Sequence, residues 1–237
     1  MAEKGDAPAR GGWKFGLAAT LLGILVGVGG MLLFNGYFVR SYLLANPEVI
    51  PEAMQRLQDN RMAEAVARHR TALERPYHGA WAGAEHGDVT LVYFFDYACG
   101  FCRASNPDIE RLLREDNRLK VVWRDYPVLG PESEQAAVAS LTAAETGRFR
   151  QFHDQLYAAG PPSATSIAAT RAALGLPAAE MTAAQRAELQ NNITMVRALG
   201  ADGTPTFVVG DRVFNGAVGY RVLKEAIADV RANAAAS

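Results

Sequence analysis

Residues 89–102 read Val-Thr-Leu-Val-Tyr-Phe-Phe-Asp-Tyr-Ala-Cys-Gly-Phe-Cys. The first eight, Val89 to Asp96, are β-branched and aromatic with few polar positions. Such a run reads as a central strand covered on both faces. Alternation puts Leu91, Tyr93 and Phe95 on one face and Val92, Phe94 and Asp96 on the other. Beyond the cysteines, Ser105 to Asp116 has a helical pattern with Ile109, Leu112 and Leu113 turned inward. Leu119 to Tyr126 is a second buried strand, stopped by Pro127 and Gly130. A strand, a helix and a strand in that order make a crossover, which predicts that the two strands are parallel.

Downstream, Glu132 to Leu199 is rich in Ala, Gln, Glu and Leu and carries no strand signal. Gly147, Gly160-Pro161-Pro162 and Gly175-Leu176-Pro177 punctuate it into about four helices. Thr206 to Val209 and Arg212 to Phe214 are short strands around a Gly210-Asp211 hairpin turn. Tyr220 to Ala232 closes the chain as an amphipathic helix with Val222, Leu223, Ile227 and Val230 inward. The order βαβ, helical block, ββα predicts one α/β domain over residues 79–237, with a helical insertion at about 131–200.

Upstream, His78 to Asp88 is Gly-rich and turn-prone and reads as the lead into that domain. Asn46-Pro47-Glu48 is a helix start: Asn caps, Pro suits the first turn, and the acid faces the positive dipole end. The helical pattern runs on to about Glu74, where Arg75-Pro76 ends it. Ile50, Met54 and Leu57 share one face; Met62, Val66, His69 and Leu73 share another. The period breaks around Asp59-Asn60, which predicts a kink or a short turn. The segment 46–75 has two readings: an oligomerisation stalk, or a helix packed back on its own domain.

Phe15 to Phe34 holds no charge. A helix of that length covers about 30 Å, the hydrocarbon thickness of a bilayer. Lys4, Arg10 and Lys14 precede it, and the nearby basic residue after it is Arg40. That asymmetry predicts a cytoplasmic tail at 1–14, a transmembrane signal anchor at 15–36 and a C-terminal body outside. A cleaved signal peptide is the rival. Its apolar core is usually about 7–15 residues with a small-x-small site after it, and no clear site follows here. The 237 residues carry 24 basic and 25 acidic groups, a net charge of −1, which does not suit a general nucleic-acid binder. Apolar residues at 49% exclude wholesale disorder, and two cysteines exclude a disulfide-dense scaffold.

Those two cysteines are the sharpest chemical signal. Two residues placed at random in such a chain stand three apart about once in 120 placements, so the spacing asks for a mechanism. Cys99 falls where a buried strand turns into a helix. Unpaired amide N–H groups and the positive dipole end at that point favour thiolate over thiol. Cys102, one turn further in, can attack a disulfide formed at Cys99. A structural disulfide closing so small a loop would remove little chain entropy. A zinc site needs about four ligands, and His69, His78, His86 and His153 are scattered. The pattern therefore indicates redox chemistry, with no metal and no organic cofactor.

Three stretches together carry a family resemblance: Phe94-Phe95-Asp96-Tyr97-Ala98-Cys99-Gly100-Phe101-Cys102, Gly203-Thr204-Pro205-Thr206-Phe207, and Phe214-Asn215-Gly216-Ala217-Val218-Gly219-Tyr220. The sequence resembles the DsbA family of thioredoxin-fold disulfide oxidoreductases, in the branch similar to ScsC and its outer-membrane-antigen relatives. Those proteins are also similar in an Asn46-Pro47-Glu48-Val49-Ile50 type of helix before the catalytic domain. The resemblance covers about residues 46–237. It implies a thioredoxin fold with an inserted helical domain and a cis Pro205 beside the cysteines. It also implies that Thr204 presents its backbone to substrate, with Phe101 and neighbouring aromatics adding an apolar surface. The implied activity is exchange of disulfides with unfolded or misoxidised secreted proteins in the periplasm, as oxidase or isomerase, with a membrane redox partner. With the anchor in the inner membrane lipid, the implied assembly is a homo-oligomer. The alternative is a chaperone-like or metal-handling module in which the cysteines are incidental. Two positions depart from the family. Tyr93 stands where a buried acid is usual, six residues before Cys99. Gly100-Phe101 replaces the Pro-His of strongly oxidising relatives, which argues against extreme thiolate stabilisation. Tyr93 and Gly100 are therefore the candidate tuning positions.

Overall fold

A computed structural model of the chain describes residues 12–177 and 180–236. The chain divides into two compact units, Met1–Leu57 and Gln58–Ser237.

In the first unit, helix α1 runs from Gly12 to Ala45, and helix α2, Val49–Glu74, begins there and continues into the second unit. Residues 1–11 of the expected cytoplasmic tail lie outside the described residues, as do the side chains of 12–19, 25, 26 and 31–35. The expected membrane span at 15–36 is not supported by the described residues. Among the described residues no helix is long and apolar enough to cross a membrane. Helix α1 also does not stop with the apolar run; it passes through Asn35, Arg40 and Ser41.

Of the kink or short turn expected at Asp59-Asn60, the turn is absent: α2 is continuous across it. The shift of apolar phase has another cause. Ile50, Met54 and Leu57 are exposed, whereas Ala65, Val66 and Leu73 are buried in the second unit. One helix thus carries two apolar faces, used differently in its two halves.

The second unit is built on a five-stranded mixed sheet of order β1-β3-β2-β4-β5. The strands are β1 (Trp81–Gly83), β2 (Val89–Phe95), β3 (Leu119–Asp125), β4 (Thr206–Val209) and β5 (Arg212–Asn215). Strands β2 and β3 are parallel, as their crossover through α3 (Gly100–Glu115) requires. Strand β4 lies antiparallel on the other side of β2, and β5 pairs with β4. Between β3 and β4 the chain makes four helices: α4 (Pro131–Glu145), α5 (Phe149–Ala158), α6 (Ala164–Ala173) and α7 (Ala183–Ala198). Helix α8, Tyr220–Ala236, ends the described chain. This is a thioredoxin-like α/β arrangement.

Both faces of β2 are covered, as its composition demands. Leu91, Tyr93 and Phe95 pack with Ile109 and Leu112 of α3, Leu223 and Ile227 of α8, and Phe149 and Phe152 of α5. Val92 and Phe94 pack on the opposite side with Ala65, Val66 and Leu73 of α2 and with Met195, Val196 and Leu199.

Strand β1 lies in the stretch read as turn-prone, because glycine reads as a breaker. The backbone explains the error. Gly83 has φ +90°, and a Cβ there would come within 2.2 Å of the Leu119 carbonyl oxygen. Glycine here lets the edge strand approach β3, where Gly83 pairs with Lys120.

One charged side chain sits inside this packing. Arg124 of β3 is 3% exposed. Its guanidinium donates to the carbonyls of Ala72, Leu73 (3.0 Å) and Arg75 (2.6 Å), at the end of α2. It also donates to Glu188 Oε1 (2.9 Å) and Asn192 Oδ1 (2.8 Å) on α7. A helix C-terminus leaves orphan carbonyls and a partial negative charge, and Arg124 answers both. Burial pulls the guanidinium below its ordinary pKa, and Glu188 opposes that shift.

Candidate active site

The site forms where β2 ends and α3 begins. Cys99 is the N-cap of α3, with φ −79° and ψ 117° and no side-chain cap bond. Its N–H donates to the Asp96 carbonyl at 3.0 Å, and its carbonyl accepts from Arg103 N–H at 3.1 Å. The sulfur therefore makes no capping bond to the helix it begins. Cys99 is 6% exposed and Cys102 fully buried, both as free thiols.

Thr204 closes the site from the β4 side. The Thr204–Pro205 peptide is cis. The Cys99 thiol donates to the Thr204 carbonyl at 3.3 Å. The turn is braced from within: Thr206 Oγ1 donates to the Gly203 carbonyl at 2.8 Å, and Gly216 N–H to the Pro205 carbonyl at 2.8 Å.

The two thiols have unequal surroundings. Burial pushes the Cys102 thiol up to about 12. A hydrogen bond from the Asp96 main chain and one from the Thr204 side chain oppose that rise, while the neighbouring Cys99 adds to it. At neutral pH Cys102 keeps its proton.

Tyr93 lies beneath the pair. Its hydroxyl donates to the Cys102 carbonyl at 3.1 Å, and its ring stacks on Phe207 with centroids 4.7 Å apart. Burial holds the phenol well above its ordinary pKa, so it stays neutral. The hydroxyl reaches the helix backbone and also bonds the Cys102 side chain. Tyr93→Phe is therefore expected to cost about 1 kcal/mol of unfolding free energy, the usual worth of one hydrogen bond. The Cys102 titration should move only slightly. Urea unfolding and thiolate ultraviolet absorbance measure the two effects, and a large displacement of the titration would give the hydroxyl a direct electrostatic role.

Of the remaining sequence candidates, Phe101 is 69% exposed beside Cys99. Gly100 opens α3 between the two cysteines. A Cβ there meets nothing within 4 Å, so neither fit nor φ requires glycine. Among the described residues, no group of three or more His, Cys, Asp or Glu is placed to hold a metal ion.

Sequence reasoning missed three supports. Asp96, 2% exposed, accepts from Ala98 N–H through Oδ1 at 2.8 Å. Tyr157 of α5 donates its hydroxyl to the Asp96 carbonyl at 2.9 Å, and its own carbonyl accepts from Arg103. Tyr97 donates to Ser140 of α4 at 3.1 Å, and Ser140 donates to Asp125 Oδ2 at 3.1 Å. These bonds weld the cysteine loop to the inserted helices. An acid closing an otherwise apolar strand three residues before Cys99 was the available signal for Asp96.

The DSBA-like thioredoxin domain is matched over residues 90–228. The chain belongs to the DSBA-like thioredoxin domain family. The matched stretch of that domain runs from β2 into α8, so it holds the site residues and the inserted helices. The N-terminal domain of copper resistance protein ScsC is matched separately over residues 36–64, the end of α1 and the first half of α2.

Solved structures agree with this placement. A linker-deletion mutant of Proteus mirabilis ScsC is 28% identical at TM-score 0.71, covering 82% of this chain and 92% of its own. A periplasmic thioredoxin-like protein from Salmonella enterica serovar Typhimurium is 25% identical at TM-score 0.64, covering 69% and 95%. The thiol-disulfide exchange protein alpha-DsbA2 from Wolbachia pipientis is 26% identical at TM-score 0.67, covering 73% and 98%. A curated relative is the Na(+)/H(+) antiporter NhaA 3 of Salinispora tropica, 29% identical over 160 residues. The match takes in 64% of this chain but spans only 24% of that protein's length.

Proposed function

We propose that the chain is a protein thiol–disulfide oxidoreductase working through Cys99 and Cys102. The observation that supports this most is the inequality of the two thiols. Cys99 stands at a helix N-cap, 6% exposed, with its sulfur against the Thr204 carbonyl. Cys102 is sealed one turn deeper, with its pKa pushed up to about 12.

The exchange follows from that inequality. Cys99, as thiolate, attacks one sulfur of a client disulfide. A Cys99–client bond forms, the client S–S bond breaks, and the departing client thiolate takes a proton. Cys102 then loses its proton and attacks Cys99. The Cys99–Cys102 disulfide forms and the second client thiol leaves. Two electrons pass from the protein to the client, and the reverse sequence oxidises a client dithiol. A mixed disulfide that rearranges before Cys102 acts gives isomerisation. Thr204, Pro205 and Phe101 line the place where an extended client lies.

The clients are unfolded or misoxidised secreted proteins, and a membrane redox partner restores the working state of the pair. The chain is held in the inner membrane by residues 15–36 with its body in the periplasm, a reading supported by the basic flank before the apolar run. Exposed Ile50, Met54 and Leu57 support a homo-oligomer through the first half of α2. Light scattering of the full chain in detergent reads that assembly.

The decisive assay is refolding of a scrambled-disulfide protein with stoichiometric amounts of the chain. Catalysed recovery is expected with wild type and background recovery with Cys99→Ser. Equal recovery from both would reduce the cysteines to bystanders and favour a chaperone-like module.

A further inference from the structure

The peptide between Phe95 and Asp96 is gripped by the segment that follows β3. Its carbonyl, that of Phe95, accepts from Tyr126 N–H at 2.8 Å. The Asp96 carboxylate extends the grip: Oδ2 accepts from Val128 N–H at 2.8 Å and from Leu129 N–H at 3.1 Å. The other oxygen, Oδ1, accepts from Ala98 N–H at 2.8 Å. The Asp96 carbonyl accepts from Cys99 N–H at 3.0 Å and from the Tyr157 hydroxyl at 2.9 Å. A side chain that only turned the chain would need the Ala98 bond alone. Burying a carboxylate is costly unless it is hydrogen-bonded, and Asp96 is 2% exposed.

One polar group of this residue is left, its main-chain N–H, and it donates to the Cys102 sulfur. A peptide is planar, so a fixed Phe95 carbonyl fixes the direction of that N–H. Cys102 is fully buried, yet its sulfur must carry charge at the moment it attacks Cys99. Hydrogen bonds to charged acceptors are the stronger kind, so this bond strengthens as the thiolate forms. Position and charge act here in opposite senses. A carboxylate charge by itself disfavours a nearby thiolate, whereas the N–H it holds in place favours one. Removing the charge therefore tells by its sign which of the two prevails.

We propose that Asp96 is the positioning residue for the resolving step: its carboxylate holds the Phe95–Asp96 peptide with the N–H aimed at the Cys102 sulfur, so that Cys102 attacks Cys99 as a supported thiolate. The first attack, by Cys99 on a client, does not use this bond. The inference rests on the exchange activity proposed above and separates its two steps.

The test mixes reduced full-length protein in detergent with oxidised glutathione, quenches with acid at intervals and follows the products by mass spectrometry. The Cys99 thiolate attacks one glutathione sulfur. A Cys99–glutathione bond forms, the glutathione S–S bond breaks, and one thiolate leaves to take a proton. Cys102 then loses its proton to water and attacks Cys99. The Cys99–Cys102 disulfide forms and the second glutathione leaves, so two electrons have passed from the protein to glutathione. In Asp96→Asn the capture rate is expected to stay within about twofold of wild type. The resolving rate should fall about tenfold, as a weakened hydrogen bond to a charged acceptor implies, and the protein–glutathione adduct should accumulate. Below the Cys102 pKa its thiolate rises about tenfold per pH unit, so the variant should match the wild-type resolving rate about one pH unit higher. Tyr157→Phe, which removes only the hydroxyl bond to the Asp96 carbonyl, should slow the same step about two- to threefold. Equal slowing of both steps in Asp96→Asn, or an unchanged or faster resolving step, would overturn the proposal. If Asp96→Asn does not fold, an unchanged resolving step in Tyr157→Phe overturns it. A wild type that never reduces glutathione would defeat the exchange activity and this inference with it.

Discussion

Cys102→Ser is expected to turn exchange into capture. Cys99 can still attack a client disulfide, but nothing then releases it, and covalent Cys99–client species accumulate. In wild type the resolving step is intramolecular, across one helical turn, where effective concentrations exceed those of any free thiol by orders of magnitude. Turnover should therefore fall by about a thousandfold or more while the first attack proceeds. Non-reducing electrophoresis after acid trapping displays the adducts, and reductant should dissolve them. The pH dependence has a definite sign. The Cys102 pKa, pushed up to about 12 by burial, leaves little thiolate at neutral pH. Resolution in wild type should accelerate as pH rises toward that value. An adduct-free Cys102→Ser protein that still turns over would assign resolution to a client thiol.

Arg124→Met is expected to be the most destabilising single change outside the redox pair. It strips the end of α2 of the cation that serves the Ala72, Leu73 and Arg75 carbonyls. It also leaves Glu188, whose side chain is 17% exposed, without its ion-pair partner. Removing one member of a buried pair typically costs about 3–5 kcal/mol. For a domain of this size that lowers the melting temperature by roughly 10 °C. Hydrogen exchange should show the last turns of α2 losing protection before the sheet does. Stability within 1 kcal/mol of wild type would mean that water replaces the guanidinium at little cost.

Much of the second unit was legible because its strongest elements carry one-dimensional signals. The run Val89–Phe95 is apolar on both faces, and that alone makes it central. The glycine and proline clusters after Thr146 mark real helix ends. What escaped was decided by partners far away in the chain. Nothing local distinguishes Gly83 in a turn from Gly83 in an edge strand; the Leu119 carbonyl does. Nothing near Asp59 reports that α2 stays intact; the change of apolar face was real, but it reflects what each half meets. Arg124 was visible as a charge inside an apolar strand, yet its meaning lies 49–68 residues away, in α2 and α7. In the site, the cysteines stood out by spacing and Thr204-Pro205 by resemblance. Asp96 did not, because its importance is a set of backbone N–H groups that no motif records.

The bond between the Cys99 thiol and the Thr204 carbonyl makes that carbonyl a redox-gated acceptor. In the dithiol it is occupied by the protein's own S–H. Joining the sulfurs removes that donor and leaves the oxygen seeking another, and the main chain of an extended client offers one. The two redox forms thus differ in stickiness as well as in chemistry. On the exchange activity proposed above, the oxidised form would hold a thiol-bearing client for the reaction, and the reduced form that results would take its acceptor back and let the product go.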